Sequence, residues 1–306
     1  MKAIIAAAGT GGHINPGIAI ANKIKEKEKD SEIIFLGTVR GLENDLVPRA
    51  GYKLKTVEAY GYGRSFNIDN IKKVLKNFQG ISETKKIIKE FKPDIIIGTG
   101  GYISAIASIA AKRYKVPIVL HESNAFPGAS VKMFAKKANC ILVGFEDAKK
   151  RLPKAKKVIV TGTPTKIKNI KIEKQEKIKI KKEIGFKDEN KPLVLVYGGS
   201  QGAKSINETL IEIIVKKLNK DYQIMWAAGP TQYDTIKEEL DKKDININNI
   251  ENIKIVPYIY NMEEIMNISD LVVCRSGALT ITEIALLRKT SYIYTIPSSS
   301  RKSSRI

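Results

Sequence analysis

The chain has 306 residues and is strongly basic, with 53 Lys and Arg against 32 Asp and Glu and a formal charge of +21. Its 43% hydrophobic content is typical of a folded globular protein, and its length predicts two domains of about 150 residues each. Two widely separated cysteines exclude a disulfide framework, no secretion signal is predicted, and the longest uncharged run, residues 95–111, is too short to span a membrane.

Short apolar runs alternate along the chain with charged segments whose apolar residues recur every three or four positions. Such runs are typical of strands buried on both faces of a parallel sheet. The predicted strands are residues 3–8, 33–36, 52–57, 94–97, 117–121, 140–143, 158–161, 193–197, 223–227, 253–257, 271–274 and 292–296. Helices are predicted between them, for example at 16–28 and 206–218. The alternation predicts two doubly wound, Rossmann-like α/β domains that join near Thr163-Pro164.

Three glycine-rich turns follow predicted strands, at residues 9–13, 98–101 and 198–202. The first precedes a helix whose first turn is predicted to hold Pro16. Ligands bind at the carboxyl ends of strands in open α/β sheets, and N–H groups at a helix start favour an anion. Three such turns therefore predict phosphate or diphosphate binding, with tight turns that bind no ligand as the alternative.

Two familiar nucleotide motifs are excluded. A dinucleotide fingerprint requires glycine where Ile14 stands, and an acidic residue at the end of the second strand, where Gly37-Thr38 stand. A P-loop requires glycine directly before Lys204-Ser205, but Ala203 is there. A hydride-transfer enzyme and a P-loop ATPase are therefore not expected.

Residues 274–283 follow a predicted buried strand and are expected to open a helix. The N–H groups near Ala278–Thr280 would then face a nucleotide diphosphate. Glu283 would lie about one and a half turns inside the helix, where its two carboxylate oxygens can accept hydrogen bonds from both hydroxyls of a ribose. The alternative is that Glu283 is a solvated helix residue.

Five short motifs occur in a defined order: Gly9-Thr10-Gly11-Gly12-His13, Gly100-Gly101-Tyr102, His121-Glu122-Ser123-Asn124, Gly199-Ser200-Gln201-Gly202 and Ser276-Gly277-Ala278-Leu279-Thr280. Between residue 1 and about residue 297 this ordered set resembles the MurG family, the UDP-N-acetylglucosamine–lipid I N-acetylglucosaminyltransferases of peptidoglycan synthesis. The resemblance implies a GT-B fold with an acceptor and membrane domain at 1–163 and a UDP-GlcNAc domain at 164–297. Residues 298–306 are predicted to be a disordered tail.

The resemblance also implies the reaction. GlcNAc would pass with inversion from UDP-GlcNAc to undecaprenyl-diphospho-MurNAc-pentapeptide (lipid I), presented at the cytoplasmic face of the cell membrane. The protein would then be a peripheral membrane enzyme. Its site residues can be carried over only where this chain matches the motifs. The family usually has arginine where Lys166 stands. Lysine keeps the positive charge but lacks the guanidinium group that makes bidentate hydrogen bonds.

The substrate residues implied by the resemblance are Thr10, Gly11, Gly12, Asn124, Lys166, Ser200, Ile259, Ala278, Leu279, Thr280 and Glu283. Among them Ser200 would contact the diphosphate, Ile259 would lie against the uracil, and Glu283 would bind the ribose. The residues expected to bind the acceptor diphosphate are Gly100, Gly101 and Tyr102.

His13 is the predicted catalytic base, because the unperturbed pKa of histidine lies near neutrality. The alternative is that His13 caps a helix or binds phosphate. His121, at a strand end, is expected to be structural or to lie on the acceptor side. No carboxylate cluster has metal-ligand spacing, so neither a protein-bound metal nor a cofactor is predicted.

The positive charge is concentrated in residues 1–157, which hold 29 basic and 14 acidic residues, although a compositional bias of the genome is an alternative explanation. Residues 68–90 place Ile71, Val74, Leu75 and Phe78 at helical spacing among lysines. Such a stripe can lie on an anionic membrane surface, or it can pack on its own sheet. A nucleic-acid partner is not expected, because no recognition motif is present and aromatic residues make up only 7%.

The C-terminal end departs from the family pattern. After Ile296-Pro297 the family continues into a further strand–helix region with a glutamine that contacts the sugar, and Arg288-Lys289-Thr290 replaces a Gly-Lys-Pro turn. The resemblance therefore implies a truncated second domain with uncovered apolar surface, through a frameshift or as a genuine short variant. Two alternatives to an active transferase follow: an inactive fragment, or a GT-B UDP-sugar enzyme with another acceptor, including a diacylglycerol glucosyltransferase or a sugar-nucleotide epimerase.

Overall fold

The structure is a computed structural model that describes residues 1–61, 68–188, 190–250 and 252–295. The chain divides into two compact units, Met1–Lys166 (unit 1) and Ile167–Ile306 (unit 2). The division lies within three residues of Thr163-Pro164, the predicted join. Each predicted strand has a counterpart in the structure, whereas the predicted tail at 298–306 lies outside the described residues.

Unit 1 is a parallel sheet with helices between successive strands. Its described elements are β1 (Lys2–Ala7), α1 (Gly11–Lys27), β2 (Glu32–Thr38), α2 (Glu43–Arg49), β3 (Lys53–Val57), α3 (Ile68–Phe91), β4 (Ile95–Gly100), α4 (Gly101–Tyr114), β5 (Ile118–Glu122), α5 (Ala129–Phe134), β6 (Cys140–Val143), α6 (Glu146–Lys150) and β7 (Val158–Val160). The strand order is β3-β2-β1-β4-β5-β6-β7. The chain winds outward in both directions from β1 and β4, so the switch point lies between these two strands.

The central strand β1 is buried on both faces, as its unbroken apolar sequence predicts. Ile4 and Ile5 point to opposite faces and are both fully buried. Helix α1 approaches one face at Gly17, where an added Cβ would lie 3.1 Å from Ile5 and 3.3 Å from Phe35. The absence of a side chain at Gly17 therefore lets the helix, and the loop that precedes it, lie close to the sheet.

Two predicted boundaries in unit 1 are wrong. Helix α1 begins at Gly11, so Pro16 is its sixth residue and does not lie in the first turn. Pro16 lacks the N–H that would bond to the Gly12 carbonyl, but Gly12 is exposed and water can satisfy that oxygen. Gly98 continues β4 rather than starting a turn, because it pairs with Ala6 on one side and Leu120 on the other.

Unit 2 has the same architecture on a smaller scale. Its described elements are α7 (Lys174–Glu183), β8 (Leu193–Tyr197), α8 (Lys204–Val215), β9 (Gln223–Ala227), α9 (Tyr233–Asp241), a 3₁₀ turn (Ile247–Asn249), β10 (Ile253–Val256), α10 (Met262–Ile268), β11 (Leu271–Arg275), α11 (Ala278–Leu287) and β12 (Ser291–Tyr294). The parallel strand order is β10-β9-β8-β11-β12, so the switch point lies between β8 and β11.

The sheet of unit 2 has a core on each face. Helices α10 and α11 cover one face through residues that include Ile265 and Ile284. Helices α8 and α9 cover part of the other face, where Trp226 is fully buried. Beside α8 an apolar groove of about 560 Å³ runs over Val273 and Tyr294 of β11 and β12. Apolar side chains on this face of the sheet are therefore accessible in the described part of unit 2.

Candidate active site

Two loops of unit 1 flank the switch point between β1 and β4. The loop after β1 ends at Thr10, α1 then begins with Gly11 and Gly12, and the end of β4 leads directly into Gly101 and Tyr102. Because β1 and β4 are parallel neighbours, both loops emerge at the same edge of the sheet. The structure therefore brings together two predicted sets of residues, one for the donor and one for the acceptor diphosphate.

Helix α1 begins at this edge without a side-chain cap. Thr10 occupies the N-cap position, but its hydroxyl makes no capping hydrogen bond, and the first turn holds no acidic residue. Thr10 and Gly12 are exposed. The positive end of the helix dipole and its N–H groups therefore favour an anion at this end of unit 1.

The His13 side chain packs against the second loop. A Cβ at Gly100 would overlap the His13 ring, and one at Gly101 would lie 3.8 Å from it. The Thr99 hydroxyl donates a hydrogen bond of 2.8 Å to the His13 carbonyl oxygen. Burial lowers the pKa of His13, opposed by the Glu122 charge and by a hydrogen bond from the ring to the Thr99 main chain. The imidazole is therefore neutral at pH 7, which is the form required of a base.

The turn from β4 into α4 depends on two glycines. Gly100 and Gly101 have φ values of +127° and +75°, a region that side chains strongly disfavour. Tyr102 follows at the start of α4 and is 56% exposed. Its ring lies against Gly61, where an added Cβ would overlap it. The glycines thus let the backbone turn beside His13 and leave the Tyr102 ring accessible.

A buried carboxylate fixes Asn124 at the end of β5. Glu122 Oε1 accepts hydrogen bonds of 2.9 Å from both the main-chain N–H and the side-chain Nδ2 of Asn124. Its other oxygen accepts one of 2.6 Å from the Gly128 N–H, just before α5. Asn124 itself is exposed. Glu122 therefore sets the orientation of a predicted substrate residue.

His121 has a structural environment. It is fully buried, with Nε2 3.3 Å from the Gly162 carbonyl oxygen and Nδ1 3.5 Å from the Ser123 hydroxyl. Burial lowers the pKa of His121, opposed by the Gly162 hydrogen bond and the Glu122 charge. The neutral ring thus connects β5 to the segment that follows β7, in agreement with the structural role expected for it.

Sequence reasoning missed Glu43, the first residue of α2. This residue is fully buried, and its carboxylate accepts hydrogen bonds from Gly9 and Thr38. A Cβ at Gly37 or Gly41 would overlap the Glu43 side chain. Two glycines shortly before an acidic residue are a weak sequence signal, because surface turns commonly have the same composition.

In unit 2 the loop at residues 198–202 follows β8, beside the switch point. Gly199 and Gly202 have φ values of +88° and +75°, and the Ser200 side chain between them is half-buried. A Cβ at Gly202 would overlap the Ala228 carbonyl oxygen. Glycine at this position therefore lets the loop pack directly on the end of β9.

A buried polar network holds this loop. Asn207 of α8 donates hydrogen bonds of 2.9 Å to the Ala228 carbonyl and to Gln232 Oε1, and it accepts one of 3.0 Å from the Trp226 indole. Gln232 in turn donates to the Gln201 carbonyl over 3.1 Å. Both polar side-chain atoms of Asn207 have partners, and Gln232 passes the connection on to Gln201, so the loop around Ser200 is held from the sheet side.

The N-terminus of α11 lies at the same edge as this loop, because β8 and β11 are parallel neighbours. Gly277 is the N-cap and makes no side-chain cap, and the helix starts at Ala278. Ala278 and Thr280 are half-buried, whereas Leu279 is buried. The structure therefore brings the Ser200 loop and the predicted diphosphate-binding helix start to one switch point.

Glu283 is 7% exposed, so the alternative of a solvated helix residue is wrong. It lies on the sheet-facing side of α11, near the end of β8. Burial raises the pKa of the Tyr197 hydroxyl, and the nearby Cys274 and Glu283 charges add to the increase. A buried carboxylate at a ligand-binding edge suits two hydroxyl donors of a ribose.

The structure places Ile259 and Lys166 outside the glycine-rich loops and outside the start of α11. The Ile259 side chain is buried in the core with Tyr197 and Ile284. A contact with uracil would therefore come from the main chain of Ile259. Lys166 is half-buried and is the last residue of unit 1.

Comparison with protein families gives matches in both units. Residues 3–143 match the glycosyltransferase family 28 N-terminal domain, and residues 193–303 match the glycosyltransferase family 28 C-terminal domain. Both matched regions contain a switch point and its glycine-rich loops.

Curated relatives match nearly the whole chain. An enzyme of Thermoanaerobacter sp. (strain X514) is 40% identical over 284 residues, covering 93% of this chain and 76% of its own. A relative from Clostridioides difficile (strain 630) is 41% identical over 295 residues, covering 96% and 70%. Both are named UDP-N-acetylglucosamine–N-acetylmuramyl-(pentapeptide) pyrophosphoryl-undecaprenol N-acetylglucosamine transferase.

Solved structures share the fold. MurG of Acinetobacter baumannii aligns with a TM-score of 0.60 and 23% identity, covering 99% of this chain and 81% of its own. UDP-GlcNAc 2-epimerase of Neisseria meningitidis aligns with a TM-score of 0.66 and 19% identity, covering 99% and 85%. These likenesses show a GT-B fold and no more, because transferases and epimerases both have it.

Sequence identity separates the families where the fold does not. The identities of 40–41% extend over more than nine-tenths of this chain and over 70% or more of the relatives. They agree with the ordered motifs and with the two family domains. The chain therefore belongs to the MurG family of UDP-GlcNAc-dependent glycosyltransferases, within glycosyltransferase family 28.

Proposed function

We propose that this chain transfers GlcNAc from UDP-GlcNAc to lipid I, with inversion at the anomeric carbon. The observation that carries the proposal is the 40% identity, over 93% of the chain, to a transferase named for that acceptor. The chemistry of each unit supports it. Unit 2 offers groups suited to a nucleoside diphosphate, and unit 1 offers a neutral imidazole beside a second diphosphate-type loop.

The donor is bound by unit 2. The Ser200 hydroxyl and the free N–H groups at the start of α11 bind the diphosphate, whose negative charge the helix dipole stabilises. The buried Glu283 carboxylate accepts hydrogen bonds from the ribose hydroxyls, and the main chain of Ile259 contacts the uracil. In the described part of the chain no group of three His, Cys, Asp or Glu residues is arranged to hold a metal ion.

The acceptor is bound by unit 1 and activated by His13. The acceptor hydroxyl oxygen forms a bond to the anomeric carbon as the bond from that carbon to the UDP oxygen breaks. His13 takes the hydroxyl proton, and UDP leaves with the electron pair of the broken bond. Gly100, Gly101 and Tyr102 bind the acceptor diphosphate, and Lys166 offsets charge on the departing UDP.

The acceptor reaches unit 1 at an anionic membrane surface, on the cytoplasmic side. Leu75 and Phe78 of α3 are 64% and 66% exposed, and Lys72 beside them is also exposed. Exposed apolar side chains next to lysines suit the interface of an anionic bilayer. Among the described helices, none has the length and apolar character that crossing a bilayer requires.

The reaction is tested by incubating the purified chain with UDP-GlcNAc and a lipid I analogue. We expect release of UDP and a disaccharide product that mass spectrometry identifies as the acceptor plus one GlcNAc. In one comparison the chain is incubated with UDP-glucose and diacylglycerol, which tests a glucosyltransferase with another acceptor. In the other it is incubated with UDP-GlcNAc and no acceptor, and formation of UDP-N-acetylmannosamine would indicate epimerisation. Product in either comparison, but none with the lipid I analogue, would contradict the proposed acceptor.

A further inference from the structure

The buried Glu43 carboxylate joins the first glycine-rich loop to the neighbouring strand. Its Oε2 accepts a hydrogen bond of 2.9 Å from the Gly9 N–H. Its Oε1 accepts two from Thr38 at the end of β2, at 2.8 Å from the main-chain N–H and 2.6 Å from the hydroxyl. Both oxygens therefore act as acceptors, and every donor they meet belongs to the edge of unit 1 that carries the site.

The bond to Gly9 acts directly on the loop that leads into α1. Gly9 has a φ of +91°. Glycine adopts positive and negative φ about equally readily, so sterics alone do not hold the loop in this conformation. The next residue, Thr10, makes no side-chain cap, so the Glu43 bond is a fixed attachment for a loop of small residues. The Glu43 carboxylate is fully buried, and a buried carboxylate oxygen without a donor is costly, which favours the loop conformation that keeps this bond.

The surroundings leave little room for Glu43 to move. A Cβ added at Gly37 would lie 2.7 Å from Glu43 Cγ, and one at Gly41 would overlap the carboxylate. Glycine at both positions thus creates the space that the side chain fills. A group packed this closely can hold its hydrogen-bond partners in one geometry, as a site that binds a diphosphate through main-chain N–H groups requires.

We infer that Glu43 is a positioning residue for the transfer reaction, fixing residues 9–12, where the loop leads into α1, in the conformation that binds substrate. Glu43 does not touch substrate; it acts through the Gly9 N–H. The inference rests on the proposed function, because the resemblance behind that function implies that Thr10, Gly11 and Gly12 bind substrate. Loss of the Gly9 bond would then raise the barrier of the transfer step while the fold is retained.

The variant that tests this is Glu43→Gln, which has the same size. One oxygen of the carboxylate becomes an NH₂ group, which is a donor. At least one of the three hydrogen bonds is then lost, because the NH₂ group meets another donor there. The orientation that keeps both Thr38 bonds places the NH₂ against the Gly9 N–H. In the other orientation the NH₂ meets the Thr38 N–H, which is held in β2, whereas Gly9 is exposed and can turn to water. We therefore expect the variant to release the loop and to keep the attachment to β2.

Thr38→Val is the matched control, since it removes one hydrogen bond to the same carboxylate and keeps the bond to Gly9. We expect kcat of E43Q to fall at least tenfold and kcat of T38V to stay within about threefold, with similar melting temperatures for both. We also expect amide hydrogen exchange of residues 9–12 to accelerate at least tenfold in E43Q only. General destabilisation would accelerate exchange equally in both variants. Faster exchange at residues 9–12 in E43Q alone would therefore be a local effect on the loop.

Equal kcat and equal exchange in the two variants would overturn the inference. So would unchanged exchange at residues 9–12 in E43Q, whatever its activity. A wild-type chain that makes no product contradicts the proposed function instead, and the exchange comparison then still decides whether Glu43 holds the loop. The two failures are therefore distinguishable.

Discussion

At the scale of single residues, three buried carboxylates have different tasks at the two switch points. Glu43 and Glu122 are already saturated by main-chain donors, so they orient loops and are not available to substrate. Glu283 is buried near the start of α11, the helix that we propose binds the donor diphosphate. Buried carboxylates need hydrogen-bond donors, so each of the three is held where the surrounding groups can supply them.

The proposed base gives a prediction about pH and turnover. Because burial lowers the pKa of His13, we expect kcat/KM to fall on the acid side with an apparent pKa below 6.5, the ordinary value for histidine. His13→Ala should lower kcat about a hundredfold or more and remove this acid limb. Steady-state rates of UDP release between pH 5 and 8 measure both effects.

Lys23→Ala supplies the control for His13, since Lys23 lies on the exposed side of the same helix and pairs with Glu26. Its rate should equal that of the wild type. Turnover of H13A within about threefold of the wild type would contradict the assignment of His13 as the base. The role of His13 would then be to pack against Gly100.

At the scale of elements, the helices that begin at the switch points have their N-termini open. None of the helices α1, α4 and α11 has a side-chain hydrogen bond at its N-cap. Most helices in proteins gain stability from such a cap, commonly about 1 kcal/mol. The other helices whose N-caps the structure describes also lack such a bond, so an open start does not by itself mark a diphosphate site. What the three helices share is their place at the edges where the sequence motifs predict a diphosphate.

Helix α3 gives a prediction about membrane binding. Replacing both Leu75 and Phe78 by Glu should remove apolar contact and add repulsion, so binding to anionic vesicles should fall at least tenfold. Vesicle sedimentation measures this directly. Leu218→Glu in unit 2 is the control, because Leu218 is also 59% exposed and lies outside α3.

Two outcomes would contradict the membrane role of α3. Equal partition of the wild type onto neutral and anionic vesicles would exclude the electrostatic contribution of the lysines. Equal loss of binding in the α3 variant and in L218E would show that any exposed apolar residue has the same effect.

At the scale of the whole molecule, both histidines of the chain lie in unit 1 with a lowered pKa. The unfolded chain therefore takes up protons near pH 6.5 that the folded state takes up only at lower pH. The free energy of unfolding should fall as the pH decreases below 6.5, by up to about 1.4 kcal/mol per pH unit for each histidine. Denaturant unfolding of the full chain between pH 7.5 and 5.5 measures the slope.

His121→Gln separates the contribution of one histidine, since glutamine does not titrate and can still donate a hydrogen bond. The slope of the variant should be about half that of the wild type. A wild-type stability that stays constant down to pH 5.5 would contradict the lowered pKa values. Well above pH 6.5 both histidines are neutral in both states, so no further change is expected from them.

The whole fold does not distinguish a transferase from an epimerase, because both types align with TM-scores of 0.60 or more. Parallel strands with glycine-rich turns provide a general frame for nucleotide binding, on which different chemistries occur. The ordered motifs and the 40% identity select the family, since they concern the residues at the loops rather than the path of the chain.

The sequence by itself determined the strands, the two-unit organisation and the family. Buried parallel strands are unbroken apolar runs, which makes them visible without a structure. The start of α1 was misplaced because Gly11 and Gly12 have low helix propensity, and the burial of Glu283 could not be inferred from spacing alone.

Only the tertiary structure decided how the loops are held. Glu43 reaches Gly9 across 34 positions of sequence, because β1 and β2 are neighbours and α2 packs beside them. The contact of His13 with Gly100 likewise depends on the pairing of β1 with β4. Composition and periodicity depend on neighbours along the chain, whereas these contacts join residues that become neighbours only when the strands pair.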